Sequence, residues 1–253
     1  MSCFKIVFSP TGGTKKVADI IVEEWQQPVE SIDLSNPKDD FSRYSFSSED
    51  AVLIAMPSFG GRVPTAAAER LGKVKGNSAK CVLVCVYGNR AYEDTLAEME
   101  DIAVKCGFNV VAAVSAVAEH SIMHQYASGR PDDRDKAALA DLSKQIIKKL
   151  DSSDMKKPEI PGKRPYKKLS NAGLIPRAEK SCTRCGLCAE VCPVGAIDKF
   201  DVGKIDKNKC ISCMRCVVRC KPAARKINGA FVSVAALAIK KACSERKEPE
   251  LFI

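Results

Sequence analysis

The sequence predicts an α/β protein in two parts: a doubly wound, five-stranded parallel sheet over residues 1–150, then a small cysteine-rich α+β module. Three observations lead there. Short, almost continuous apolar runs alternate with amphipathic helical patterns through the first part, as in a parallel sheet covered on both faces. Eight cysteines between Cys182 and Cys220 write one spacing twice. The charge also changes between the parts: residues 1–150 carry 18 Lys+Arg against 20 Asp+Glu, whereas residues 151–253 carry 22 against 11.

In chain order, residues 3–9 read as a buried strand running into Ser9-Pro10-Thr11-Gly12-Gly13-Thr14. A helical pattern follows, with Val17, Ala18, Ile20, Ile21 and Trp25 on one face. Residues 29–34 form the second strand, and the apolar run 51–56 the third. Residues 81–87 form the fourth, followed by a helix over 93–106. Residues 108–117 are the fifth strand, and an amphipathic helix over 132–150 closes the first part. The loops 9–14, 57–64 and 87–92 follow strands one, three and four. In a parallel sheet they share the carboxyl edge, where ligands bind.

A strand, a turn rich in hydroxyls and glycine, then a helix makes a phosphate cradle, with helix-start amides pointing at the anion. Ser9, Thr11, Gly12, Gly13 and Thr14 supply it. Neither Gly-x-Gly-x-x-Gly nor Gly-x4-Gly-Lys-Ser/Thr occurs in this turn, which disfavours a dinucleotide fingerprint or a P-loop ATPase. This half resembles the flavodoxins, which bind FMN where the first and third strands diverge. The resemblance implies that the flavin ring lies between Pro57, Ser58, Phe59, Gly60 and Gly61 on one side and Tyr87, Gly88, Asn89, Arg90 and Tyr92 on the other. Phe59, Tyr87 or Tyr92 would stack on it.

The cysteine segment reads Cys182-x2-Cys185-x2-Cys188-x3-Cys192-Pro193, then Cys210-x2-Cys213-x2-Cys216-x3-Cys220. Three cysteines at every third position turn their sulfurs toward one centre, and the fourth faces the sister site. A zinc ribbon uses two CxxC pairs separated by a long loop rather than a trio followed by a fourth cysteine. The segment resembles the bacterial two-cluster ferredoxins, down to Cys192-Pro193-Val194-Gly195-Ala196-Ile197. It departs where Lys221 separates Cys220 from Pro222. Two [4Fe–4S] clusters are expected, one on Cys182, Cys185, Cys188 and Cys220, the other on Cys210, Cys213, Cys216 and Cys192. Arg184, Arg215 and Arg219 lie within the motifs and would favour the reduced cluster if they point inward.

Four domain segments follow: 1–150, a basic proline-rich linker at 151–178 that lets the module dock or swing, the cluster module at 179–225, and a helical extension at 226–253. Glu119-His120-x3-His124 holds both histidines. On a helix they would share a face, but no third metal ligand is near, so the loop is expected to cover the flavin or simply to pack. Cys3, Cys81, Cys85, Cys106 and Cys243 are expected as buried thiols.

No apolar run reaches the roughly 20 residues of a membrane span, and no export signal is apparent, so a soluble cytoplasmic protein is expected. The basic half lacks a nucleic-acid motif and aromatic interleaving. It suits an acidic redox partner, or a solvated surface offsetting cluster charge. The chain as a whole resembles fusions of a flavodoxin-like domain to a two-cluster ferredoxin. That resemblance implies an electron carrier without acid, base or nucleophile. A flavin-dependent reductase fed by the clusters, and a ferredoxin on a scaffold without flavin, are the alternatives.

Overall fold

The strands of the first part are set by apolar runs that leave no face for water. In the computed structural model, which describes residues 2–154, 156–169 and 173–253, every residue of β3 (Ala51–Pro57) is buried. So is all but the first residue of β4 (Lys80–Tyr87) and of β5 (Asn109–Val117). With β1 (Cys3–Val7) and β2 (Val29–Asp33) they form five parallel strands in the order β2-β1-β3-β4-β5. The order reverses between β1 and β3, which opens a crevice at their carboxyl ends.

Helices cover both faces. On one, α1 (Gly13–Glu23) and α4 (Asp133–Asp151) bury Val17, Ala18, Ile21, Leu139 and Ile146 against Leu53, Val82 and Val84. A capping box between Asp132 and Asp135 starts α4, satisfying orphan amides at its first turn. On the other face, α2 (Thr65–Leu71) and α3 (Thr95–Lys105) bury Ala67, Leu71, Leu96 and Met99 against Ile54 and Leu83.

The second part is small and built on turns. β6 (Arg177–Ala178) pairs antiparallel with β7 (Arg225–Lys226), and between them lie α5 (Leu187–Glu190) and α6 (Arg215–Val218). α7 (Gly229–Ile239) follows. Then β8 (Glu250–Phe252) returns to the large sheet and pairs antiparallel with β5, giving it six strands where five were expected. The extension at 226–253 is therefore helical only in its first half.

The segment joining the parts is a strap along α3; its residues 155 and 170–172 lie outside the described residues. The Asp94 carboxylate accepts the amides of Lys163 at 2.9 Å and Lys167 at 2.7 Å. Arg164 pairs with Glu100 at 2.7 Å and Asp101 at 2.8 Å, and Tyr166 donates to Asp101. Gly162, at φ 141°, crosses Ala97 so closely that a Cβ would lie 2.5 Å from the Ala97 methyl. Only glycine fits both the dihedral and the approach. Among the described residues, no helix is long and apolar enough to cross a membrane.

Candidate functional site

The cysteine loops show their repeat in the backbone as well as the sequence. Arg184 and Gly186 take φ of 55° and 79°, and Ser212 and Met214, 28 positions on, take 52° and 62°. Gly195 and Ala223 match likewise at 59° and 50°, and α5 and α6 begin at corresponding residues. Left-handed dihedrals at non-glycine residues cost on the order of 1 kcal/mol each and persist where the surroundings impose them. Here they curl each loop so that amides point at sulfur. The Arg184 amide donates to Cys182 Sγ at 3.4 Å and the Ala196 amide to Cys192 Sγ at 3.3 Å.

Cys192, Cys210, Cys213 and Cys216 line one apolar cavity together with Ala196, Ile197, Ile205 and Met214. Burial pushes the thiols of Cys213 and Cys216 up to about 12, against the pull of nearby positive charge. A group that takes these sulfurs as thiolates must therefore bring its own positive charge, as iron does. The other four, Cys182, Cys185, Cys188 and Cys220, lie nearer the surface, with Cys185 exposed. Among the described residues, no three His, Cys, Asp or Glu side chains converge as a single metal ion requires. A four-iron cube spreads its four sulfurs wider than one ion does.

The module is seated on the carboxyl edge of the large sheet. Arg70 of α2 donates to the carbonyls of Leu34, at 2.5 Å, and of Pro193. Arg215 faces Asp33 at 3.6 Å, and Lys38 pairs with Glu190 at 2.6 Å. Val194 and Ile211 pack against the core beneath α2 and α3. Beside this contact, the Ser9 amide donates to Ser35 Oγ at 2.8 Å, so the turn after β2 also braces the turn 9–14.

That turn is an open donor set. Ser9 Oγ accepts the Lys15 amide at 2.9 Å, and Gly12, at φ 98°, starts α1 without a side-chain cap. Among the described residues, the amides of 11–14 and the hydroxyls of Thr11 and Thr14 have no protein partner. A cradle of amides and hydroxyls at a helix start fits a phosphate. The ring-side loops are laced together: the Asp94 amide donates to Gly61 O at 3.1 Å, the Ser58 amide to Val86 O at 2.8 Å, and Thr95 Oγ1 to Ser58 Oγ at 2.7 Å. Gly61 lies against Glu93, Arg90 pairs with Glu93 at 2.9 Å, Pro57 is buried and Gly60 exposed. Tyr87 is buried edge-to-face on Tyr92, whose hydroxyl donates to Glu250 of β8 at 3.3 Å. Both rings are thus committed to packing, and Phe59, half-buried, is the freer aromatic.

Asn89 is buried, and its amide donates to the carbonyls of Cys243 and Glu245, at 3.0 and 2.9 Å, leaving Oδ1 without a partner among the described residues. His120 sits on Gly88 in a loop, not on the helix that would align it with His124. Its Nδ1 accepts the amides of Ile122 and Met123, both at 3.2 Å, and burial, aided by the charge of His124, lowers it to about 4. His124 instead bonds Glu119 at 2.6 Å. Of the isolated thiols, Cys3, Cys81, Cys85 and Cys243 are buried and Cys106 half-buried. Arg184 and Arg219 point to solvent and Arg215 inward. The buried Arg225 carried no signal in the sequence, where it reads as one of a surface run of basic residues.

Residues 177–198 match the family described as 4Fe-4S binding domain, and the order β2-β1-β3-β4-β5 is that of flavodoxins. The chain joins a flavodoxin-like domain to a ferredoxin-type 4Fe-4S domain. Solved structures similar to the flavodoxin-like domain include a flavodoxin from Streptococcus pneumonia TIGR4, 21% identical over 59% of this chain and 97% of that one, with a TM-score of 0.42. A flavodoxin from the domain Archaea is 14% identical over 60% and 100%, at 0.45. The two-electron reduced flavodoxin of Megasphaera elsdenii is 18% identical over 58% and 98%, at 0.38. Strand order, rather than these likenesses, fixes the fold. Comparison with curated proteins found no match.

Proposed function

We propose that the chain is an electron-transfer protein carrying two [4Fe–4S] clusters and one FMN, and that it exchanges electrons with a separate, acidic redox partner in the cytoplasm. The observation that carries this reading is the seating of the Cys192, Cys210, Cys213 and Cys216 cavity on the sheet edge beside the turn 9–14. In it, Cys182, Cys185, Cys188 and Cys220 hold the outer cluster and the cavity cysteines the inner one. The equivalence of the two loops, down to their left-handed residues, supports a second site like the first. Ser9, Thr11, Gly12, Gly13 and Thr14 hold the phosphate, and the loops 57–61 and 87–92 flank the ring.

Iron–sulfur clusters pass single electrons and a flavin accepts one or two, so together they link single-electron traffic to hydride-level chemistry. The protein's part is placement. Arg70 fixes the module against the flavodoxin-like domain, amides donate to cluster sulfur, and the strap on α3 limits how far the module travels. The surplus of basic residues in 151–253 draws an acidic partner to the module rather than to the flavodoxin-like domain.

Protein purified without oxygen is expected to carry two clusters' worth of iron and sulfide and one releasable FMN per chain. An EPR-monitored redox titration should then show two interacting clusters. Iron for one cluster only, or no flavin, overturns the corresponding part of the reading.

A further inference from the structure

Arg225, on β7, is 2% exposed, the most deeply buried of the charged side chains in the ferredoxin-type domain. Its Nη1 donates to Pro176 O at 3.2 Å and its Nη2 to Val202 O at 2.6 Å and to Cys188 Sγ at 3.4 Å; its Nε has no partner among the described residues. Among the described residues it has no carboxylate partner, whereas the other deeply buried arginines each face one: Arg130 lies on Asp135 and Arg215 near Asp33. A guanidinium in an apolar interior is costly unless a negative group answers it. The negative groups within reach are sulfurs. Cys188 is in direct contact, and Val202, whose carbonyl Arg225 also engages, belongs to one buried cluster with Cys192, against which Cys210 and Cys216 of the same quartet pack.

The internal repeat shows that the fold itself has no need of this cation. The position 28 residues earlier, Ile197, is apolar, buried, and bridged to Ile205. One half of the repeat fills the place with isoleucine and the other with arginine. What differs is the charge delivered between the two sets of sulfurs.

We infer that Arg225 is a shared countercharge for both clusters, a positioning residue that raises the potential of each by stabilising the added electron. This rests on the two-cluster reading above. A positive charge held in a medium of low dielectric and bonded to a ligand sulfur favours the more negative, reduced state. Its effect is larger on the cluster that includes Cys188, because hydrogen bonding adds to the field there. Arg184 and Arg219, in solvent, are screened.

The test is an EPR-monitored titration of the anaerobically prepared full chain with Arg225→Ile, Arg225→Lys and Arg219→Gln, with iron and sulfide measured on each. Isoleucine keeps the packing seen at Ile197, and lysine keeps the charge. In Arg225→Ile both midpoints are expected to move to more negative values, that of the Cys188 cluster further; Arg225→Lys retains most of the wild-type values and Arg219→Gln moves neither. Loss of clusters from Arg225→Ile but not from Arg225→Lys also supports the inference. Full iron content with unmoved midpoints in Arg225→Ile overturns it, as does an Arg225→Lys variant as shifted or as depleted as Arg225→Ile. A wild-type chain lacking iron for two clusters sinks the underlying reading instead, and its metal content tells that failure apart.

Discussion

The two cysteine quartets share a spacing and a backbone but not an environment. Cys192 and Cys213 are buried, and their quartet is enclosed where the module meets the flavodoxin-like domain. In the other quartet no cysteine is buried and Cys185 is exposed. A duplicated motif has thus been divided by its surroundings into a site facing inward and a site facing the solvent. In the proposed relay, electrons from outside meet the exposed quartet first, and those bound for the sheet edge leave from the enclosed one.

The sharpest way to break that comparison is to remove one cysteine from each side. Cys213→Ala is expected to lose the enclosed cluster, about half of the iron, and the EPR signal assigned to it. Cys185→Ala should leave that signal intact while the solvent-facing one disappears. Identical spectra for the two variants would end the distinction.

Next in size is the contact that holds the enclosed quartet in place. Arg70 bonds carbonyls on both sides of the domain boundary, and Arg70→Ala leaves them unpaired. It should cost about 2–3 kcal/mol in urea unfolding and expose the module to limited proteolysis. A melt matching wild type would show that the enclosed quartet owes nothing to that contact.

The segment that follows the cysteine module is anchored differently, through α7: Tyr126 of loop 119–131 donates to Ala236 O at 2.7 Å, and His120 locks that loop on Gly88. Because burial lowers His120 from 6.5 to about 4, the unfolded chain binds a proton across that interval that the folded chain does not. Its contribution is therefore complete above about pH 6.5 and declines on acidification toward pH 4, by at most about 1.4 kcal/mol per pH unit. His120→Asn should flatten this part of the stability profile measured by thermal melting. An unchanged slope would remove His120 from the anchor.

Lys38→Ala makes the smallest change. Its ion pair with Glu190 spans the same boundary as Arg70, but the side chains are 67% and 56% exposed. A shift no larger than the error of the urea melt is expected. A larger one would mean that surface charge, rather than buried hydrogen bonding, holds the module.

The sequence made some features easy to read and hid others, for physical reasons. Apolar runs such as 51–56 specify buried parallel strands because no alternation leaves a face for water, and loop 9–14 follows from hydroxyls and glycines between strand and helix. The repeated cysteine spacing singles out the cluster module. β8 has only three residues, too few for any period, and is held by pairing with β5 and by Glu250 bonding Ser115 at 2.9 Å. The strap reads as a linker because its order comes from carboxylates on α3, distant in sequence. Tyr87 and Tyr92 resemble ring-stacking residues in composition, yet the returning segment engages Tyr92 and the two rings pack on each other.

The return of β8 to the edge of β5 makes the iron–sulfur module an insertion within one globule rather than a bead threaded after it. A single protease nick in the strap would leave both fragments clasped by the six-stranded sheet, so cutting once should not set the module free. Evolution could not trim this protein to a plain flavodoxin-like carrier by a stop codon in the strap without also stripping β5 of its outer neighbour.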